Sequence, residues 1–373
     1  MPKFYLEVIN QISHAIDVID TEEVVRLPIT PSPEPLQNNL ELVRQLVQGN
    51  NEEEGNAWII ARDFSVAYFS WPNGEVTFFP YSRNGFHFSK VDYWLAYLPF
   101  LEKLEPRKYY IDLSYFNQQY QIKDLCVLVG GHHQFGHFLF DVLPSLATID
   151  TLHLQKDTPS FISKFTTWER DIAQTLFGEI NFLELPKIPS AVFHFDRLAL
   201  PLFTSYQDKY AYIREKVIGG VNLTRRPNLV ESREIYIKRS TAERSQRVAN
   251  SGEVERYLKD KGFFICEGGS LNCGKMAELV FQADLVVADP ITPHLNFNAF
   301  SNDSASLISL IPEWICNSPD QRVLNSGLAH YLPVLDRTIF CGGINNESEL
   351  RHDVSSTYDV DRIEEAINKL RDR

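Results

Sequence analysis

The chain has 373 residues, 44% of them hydrophobic and 12% aromatic, which is enough for two ordinary domains with real cores and excludes a disordered chain. Its 49 acidic and 36 basic residues leave a net charge of -13 with no sustained basic face, which excludes general nucleic-acid binding, so any phosphate must be met locally. No run approaches the ~20 apolar residues of a membrane span, and residues 1–10 lack the basic and apolar regions of a secretion signal, so the expected location is cytoplasmic. The five cysteines (Cys126, Cys266, Cys273, Cys316, Cys341) are scattered and never form a C-x-x-C pair, which fits reduced thiols better than disulfides or a zinc site.

Residues 1–60 carry little readable chemistry. Within them, 27–35 (LPITPSPEP) reads as an extended connector and Glu52, Glu53 and Glu54 as a solvated face. Residues 58–81 alternate apolar and polar side chains around Pro72-Asn73-Gly74, a hairpin signal, so a small β-rich layer is expected. Further strands are expected at 109–113, 125–129 and 191–200, with a helix over 161–177 ending at Gly178 and another over 206–218 closed by Gly219 and Gly220. The polar, basic stretch 222–232, with Pro227, is the expected linker between a 1–221 N-terminal domain and a 222–373 C-terminal domain. From Arg233 the rhythm is that of an open parallel α/β unit, with strands at 234–238, 263–266, 285–288 and 306–311 and helices at 250–261 and 272–283. Asn250 with Glu253 resembles a helix cap, and Gly262 ends the same helix.

The chemistry concentrates in residues 130–144 (GGHHQFGHFLFDVLP), at an expected strand-to-helix junction. A helix starting near His133 would put His133, His137 and Asp141 at i, i+4 and i+8 on one face, with Phe138 and Val142 towards the core and Pro144 as the break. Gly130 and Gly131, followed by His132, let a substrate approach the backbone at a helix N-terminus whose free N–H groups favour anions. Asp141 either takes a proton from a hydroxyl while His137 orients it, or holds the tautomer of that ring; the plainer alternative is histidines that satisfy backbone groups in a turn. Lys238, Arg239, Arg244 and Arg247 cluster at the carboxyl end of a strand, where a diphosphate would suit them, against the alternative of surface ion pairs with Glu243 and Glu253. Residues 289–297 (DPITPHLNF) follow another strand and offer Thr292, His294 and Asn296 to a base, ribose or sugar, unless they are only a turn with Pro293 opening a helix.

On these residues the chain resembles the family 61 glycosyltransferases, a group that includes bacterial capsular and exopolysaccharide enzymes. The block GHHQFGHFLFDVLP is similar to that family's His-x-x-x-Asp followed closely by Leu-Pro. The ordered series Tyr236-Ile237-Lys238-Arg239, Arg247, Asn250 and then Ala283-Asp284-Leu285-Val286-Val287 extends the likeness over residues 120–315. The resemblance implies an α/β chain of GT-B type, with two Rossmann-like domains beside the N-terminal β-rich layer. It further implies an inverting, metal-independent transferase in capsular or surface polysaccharide biosynthesis, with no cofactor beyond its nucleotide-sugar co-substrate. The acceptor saccharide would be held by the N-terminal domain and the nucleotide-sugar donor by the C-terminal one, with no nucleic-acid partner and at most peripheral association with a polysaccharide assembly. Asp141 and His137 fall on the family's acid/histidine motif, and Arg239 and Arg247 on its basic positions near the donor. Two departures alter the donor side: Pro290-Ile291-Thr292-Pro293-His294 stands where the family shows Pro-His-Gly-Ala-Gly, and Asn250-Ser251 where it shows Asn-Glu. Two other readings remain, a metal-dependent hydrolase with His132, His133, His137 and Asp141 as ligands, and a non-catalytic nucleotide-sugar-binding subunit.

Overall fold

The computed structural model describes residues 3–27, 36, 56–72, 76–89, 95, 97–130, 135–162, 165–185, 190–202, 205–221, 232–239, 248–268, 271–290, 292–316, 329–345 and 355–373. The expected linker at 222–232 (but for Ser232), the connector at 27–35 (but for Leu27), the acidic run at 52–54 and the turn residues Asn73 and Gly74 lie outside them. The chain divides into two compact units: Met1–Thr30, Glu52–Arg170 and Glu179–Lys209 form the first, and Pro31–Asn51, Asp171–Gly178 and Tyr210–Arg373 the second.

The first unit is built on an eight-stranded mixed sheet and a four-stranded sheet. The expected hairpin is present, with Asn56–Ser70 pairing antiparallel with Val76–Ser82. Its long strand is apolar on both sides because both are covered. Phe64, Val66 and Tyr68 pack with Phe193 and Phe195, while Ala67 packs with Phe79, Val192 and the four-stranded sheet's Leu6, Val8, Tyr109 and Ile111. Leu6 and Val8 belong to Lys3–Ile9, which pairs antiparallel with Lys108–Asp112, so the N-terminal stretch is a strand whose period-two alternation was present in the sequence.

In chain order, after Gln118–Ile122, the parallel strand Cys126–Gly130 is followed outward by Ser160–Ile162 and Phe182–Glu184. The chain then returns to the opposite side of Cys126–Gly130 as Ser190–Leu202. Strand order therefore reverses at Cys126–Gly130, and ligands of open α/β sheets bind outside the carboxyl ends at such a switch point.

Two expected helices have different boundaries. The helix expected over 161–177 begins at Thr167, because Phe161 and Ile162 are fully buried in a parallel strand between two neighbours. Its start is fixed by Glu169, whose carboxylate accepts from the Thr166 N–H (2.6 Å) and hydroxyl (2.7 Å), a T-x-x-E capping signal that was legible in the sequence. Glu169→Ala is expected to lower stability by ~1–2 kcal/mol in chemical denaturation, the scale of a lost cap. The second helix, Tyr206–Val221, runs through Gly219 and Gly220 instead of ending at them. A Cβ on Gly220 would lie 2.6 Å from the Thr175 carbonyl oxygen, so here glycine serves close helix packing and not a turn.

The second unit holds a five-stranded parallel sheet in the order Phe264–Glu267, Glu234–Lys238, Leu285–Ala288, Ser306–Ile311, Thr338–Gly342. Four of these strands were expected, and the helix Thr292–Phe300, with Pro293 in its first turn, realises the alternative reading of residues 289–297; the fifth strand and the helix Val360–Arg371 were not expected. Val360–Arg371 buries Ile363, Ala366, Ile367 and Leu370, one stripe at helical spacing. The order reverses between Glu234–Lys238 and Leu285–Ala288, which makes their carboxyl ends the switch point of this unit. Among the described residues, Cys126, Cys266, Cys273 and Cys341 are buried, and no helix is long and apolar enough to cross a membrane.

Candidate active site

The first unit's switch point opens at Gly130, whose φ of +86° ends the strand in a conformation that favours glycine. Gly131, His132 and His133 lie outside the described residues. The chain then runs as one helical segment of changing pitch: α at Phe135–His137, π at Phe138–Val142, 3-10 at Leu143–Leu146 and α again at Ala147–Thr151. Pro144, the expected break, is carried inside it. Proline lacks an N–H and its ring would collide with the Phe140 carbonyl in a regular α-helix. The wide turn before it, closed by the Leu143 N–H donating to the Phe138 carbonyl, and the tight turn around it remove that conflict. Phe138, Leu139 and Phe140 are fully buried and Val142 nearly so, which anchors the segment against the core.

This anchoring leaves His137 exposed and Asp141 partly buried, with side chains 52% and 36% exposed. The two are joined at 2.7 Å between His137 Nδ1 and Asp141 Oδ2, and Lys209 Nζ donates to Asp141 Oδ1 at 3.0 Å. Burial alone would raise the Asp141 carboxyl, but the Lys209 charge and the His137 hydrogen bond outweigh it and hold the group well below the usual carboxylate range. An ionised Asp141 accepts, so Nδ1 carries the proton and the neutral ring's lone pair is on Nε2.

Lys209, which the sequence reading missed, is placed by the start of its own helix. Ser205 and Asp208 bond to each other, the Asp208 N–H donating to Ser205 Oγ at 3.2 Å, and Asn56 on the long strand bonds to both residues. The S-x-x-D spacing just ahead of Lys209 is a capping signal that could have marked it.

At the second unit's switch point, Lys238 closes the strand with its ammonium 2.8 Å from Glu255 Oε2, a bond that raises its pKa. The surface-pair alternative is thus realised for Lys238, with Glu255 as its partner. Arg239 follows directly. Its backbone N–H donates to Asp289 Oδ2 at 2.8 Å, and the Tyr236 hydroxyl donates to Asp289 Oδ1 at 2.6 Å. Asp289 is 4% exposed, and burial pushes its carboxyl up to about 6 against the lowering effect of both hydrogen bonds. A carboxyl raised in this way keeps a proton that the unfolded chain has released, so stability falls as pH climbs from 3.8 to about 6.

Asn250 occupies the N-cap position of Ser251–Asp260, but its amide caps no helix N–H. It accepts from the Tyr358 N–H at 2.9 Å and donates to the Tyr358 carbonyl at 2.8 Å and to Glu253 at 2.9 Å, a structural clamp. Asn296 is buried at 4% exposure in Thr292–Phe300, the helix that also carries Thr292 and His294 in its first turn. Arg244 and Arg247 lie outside the described residues. The structure therefore brings together His137, Asp141 and Lys209 at one strand end, and Lys238, Arg239 and Asp289 at another.

Residues 135–288 match the model of the family described as Glycosyltransferase 61, which bears out the resemblance and the general class of activity. The matched span opens beside His137 and closes at Ala288. No curated protein matches the chain.

Proposed function

We propose, for a chain whose residues 135–288 belong to glycosyltransferase family 61, an inverting transfer of a sugar from a nucleotide-sugar donor to a saccharide acceptor, in a GT-B arrangement. The observation that carries this reading is the His137–Asp141–Lys209 array beside Gly130 at a switch point. A carboxylate held so low is a weak base, because a general base works best with a pKa near the working pH. The base is therefore His137 Nε2, and Asp141 fixes the ring and stabilises the imidazolium that forms, while Lys209 keeps Asp141 ionised.

The acceptor hydroxyl gives its proton to Nε2 as its oxygen attacks the anomeric carbon from the face opposite the leaving group. The bond from that carbon to the diphosphate breaks, and its electron pair leaves with the nucleoside diphosphate. Arg239, with Lys238, Arg244 and Arg247 from the sequence reading, supplies positive charge where the leaving anion develops. The donor belongs to the second unit's switch point and the acceptor to the first. A metal-independent reaction, a role in capsular or surface polysaccharide assembly and a cytoplasmic location complete the proposal.

A thermal-shift panel of nucleosides, nucleoside diphosphates and nucleotide sugars tests it. Ligand at a hundred times its dissociation constant stabilises a fold by ~2.7 kcal/mol, so the matching diphosphate is expected to raise the unfolding midpoint where its nucleoside does not. Turnover of the matching sugar donor should persist in a chelator. Chelator-sensitive hydrolysis would point instead to the metal-dependent reading of His132, His133, His137 and Asp141, and binding without turnover to a non-catalytic subunit, as the altered residues 290–294 would allow.

A further inference from the structure

Asp289 is the first residue beyond the family match and stands where this chain departs from the family's donor-loop pattern. The last pair in the ladder between the two central strands is Ile237 with Ala288, and one step later the Asp289 N–H donates to the Ile237 carbonyl at 3.0 Å. From there its two carboxylate oxygens divide between the Tyr236 hydroxyl, inside the neighbouring strand, and the Arg239 N–H, just past that strand's end. Both oxygens are engaged and the residue is 4% exposed, so it is not itself presented to a ligand. What it fixes is the point at which the backbone leaves the sheet with Lys238 and Arg239.

We propose that Asp289 is a positioning residue for the donor diphosphate, holding the Arg239 backbone so that the basic strand end meets the phosphates; this rests on the donor reading above. Neutral Asp289 can keep the same contacts, its carbonyl oxygen accepting from the Arg239 N–H and its own hydroxyl donating to the Tyr236 oxygen, whereas ionised Asp289 adds a buried negative charge beneath an anionic ligand. Among the described residues, the other charged or titratable groups around it are Tyr236, Lys238 and Arg239, with Glu255 and Glu267 beyond Lys238 and Tyr358 beyond Tyr236.

Inorganic pyrophosphate, which has no base to recognise, and a panel of nucleoside diphosphates serve as probes against the parent, Asp289→Ala, Asp289→Asn and Tyr236→Phe. The alanine variant loses both anchors and is expected to bind each probe at least tenfold more weakly, with nucleoside affinity unchanged. The asparagine variant keeps an acceptor for the Arg239 N–H and should restore binding to within about threefold. The probes' own ionisation cancels in the parent-to-asparagine affinity ratio, which is expected to turn against the parent as pH rises through about 6, where Asp289 charges. If Asp289→Ala does not fold, that ratio decides, with Tyr236→Phe as the single-anchor comparison. Variants that bind like the parent, with a flat ratio across pH, would overturn the inference and leave the donor reading standing. A parent that binds neither pyrophosphate nor any nucleoside diphosphate would bring down both.

Discussion

His137→Ala is expected to lower sugar transfer by ~100-fold or more, the usual scale for losing general-base assistance, with donor affinity and fold nearly intact. The ring is half exposed and packs no core, so little stability leaves with it. Asp141→Asn is expected to fall by a comparable factor for a different reason. The amide keeps the shape but carries no charge, so it neither enforces the Nδ1–H tautomer nor stabilises the imidazolium. If the two groups act as one dyad, the double variant loses little more than either single variant. Near-parent turnover in His137→Ala together with a large loss in Asp141→Asn would make the carboxylate the base. The pH profile gives a second check. Asp141 is held below its ordinary value near 3.8, so its contribution to stability is complete above that value and fades only as pH falls beneath it. Any loss of transfer on mild acidification therefore does not come from protonation of Asp141. Lys209→Met, which frees Asp141 from its ion pair, should move that carboxyl back up.

Arg239→Ala is expected to weaken nucleoside diphosphate binding by ~10- to 100-fold, the equivalent of one charge-assisted bond of ~1.5–3 kcal/mol shielded from water. Binding of the corresponding nucleoside should hardly change, because the guanidinium is assigned to the phosphates. Titration calorimetry of the two ligands on parent and variant measures the difference directly. Equal losses for both would place Arg239 against the base or in the fold; no loss for either would move the donor away from this strand end. The Arg239 bond to Asp289 comes from its backbone N–H, which alanine retains, so this variant leaves that anchor in place.

The sequence was most readable where local pattern and tertiary role agree. The strands Glu234–Lys238, Leu285–Ala288 and Ser306–Ile311 fall on the expected residues because buried parallel strands are short apolar runs with sharp ends. The pairing of His137 with Asp141 follows from their i, i+4 spacing. What the spacing could not show is the ion pair that holds Asp141 low, since that turns on Lys209, 68 residues further along the chain. Phe161 and Ile162 read as helix because an apolar pair before a helical pattern has no period of its own, and only their parallel neighbours make them a strand. Asp289 reads in the sequence only as the first residue of the 289–297 loop. Its burial against Tyr236 and the Arg239 backbone comes from the neighbouring strand, which no local window contains.

The strand Ser190–Leu202 pairs along its length with Asn56–Ser70 on one side and with Gln118–Ile122 and Cys126–Gly130 on the other. On the ribosome it is the last strand of that sheet to appear. The hairpin of Asn56–Ser70 and Val76–Ser82 can close in microseconds from neighbouring residues, but its union with the parallel strands must wait for a partner more than a hundred residues downstream. Until then the apolar edges of Asn56–Ser70 and Cys126–Gly130 stay open, so slow folding of the nascent first unit is the expected outcome, checked by stopped-flow refolding. The sheet that carries Gly130 and leads into the His137 segment is thus completed late, so long-range closure, and not the local helix around His137, is expected to set the pace of this unit's folding.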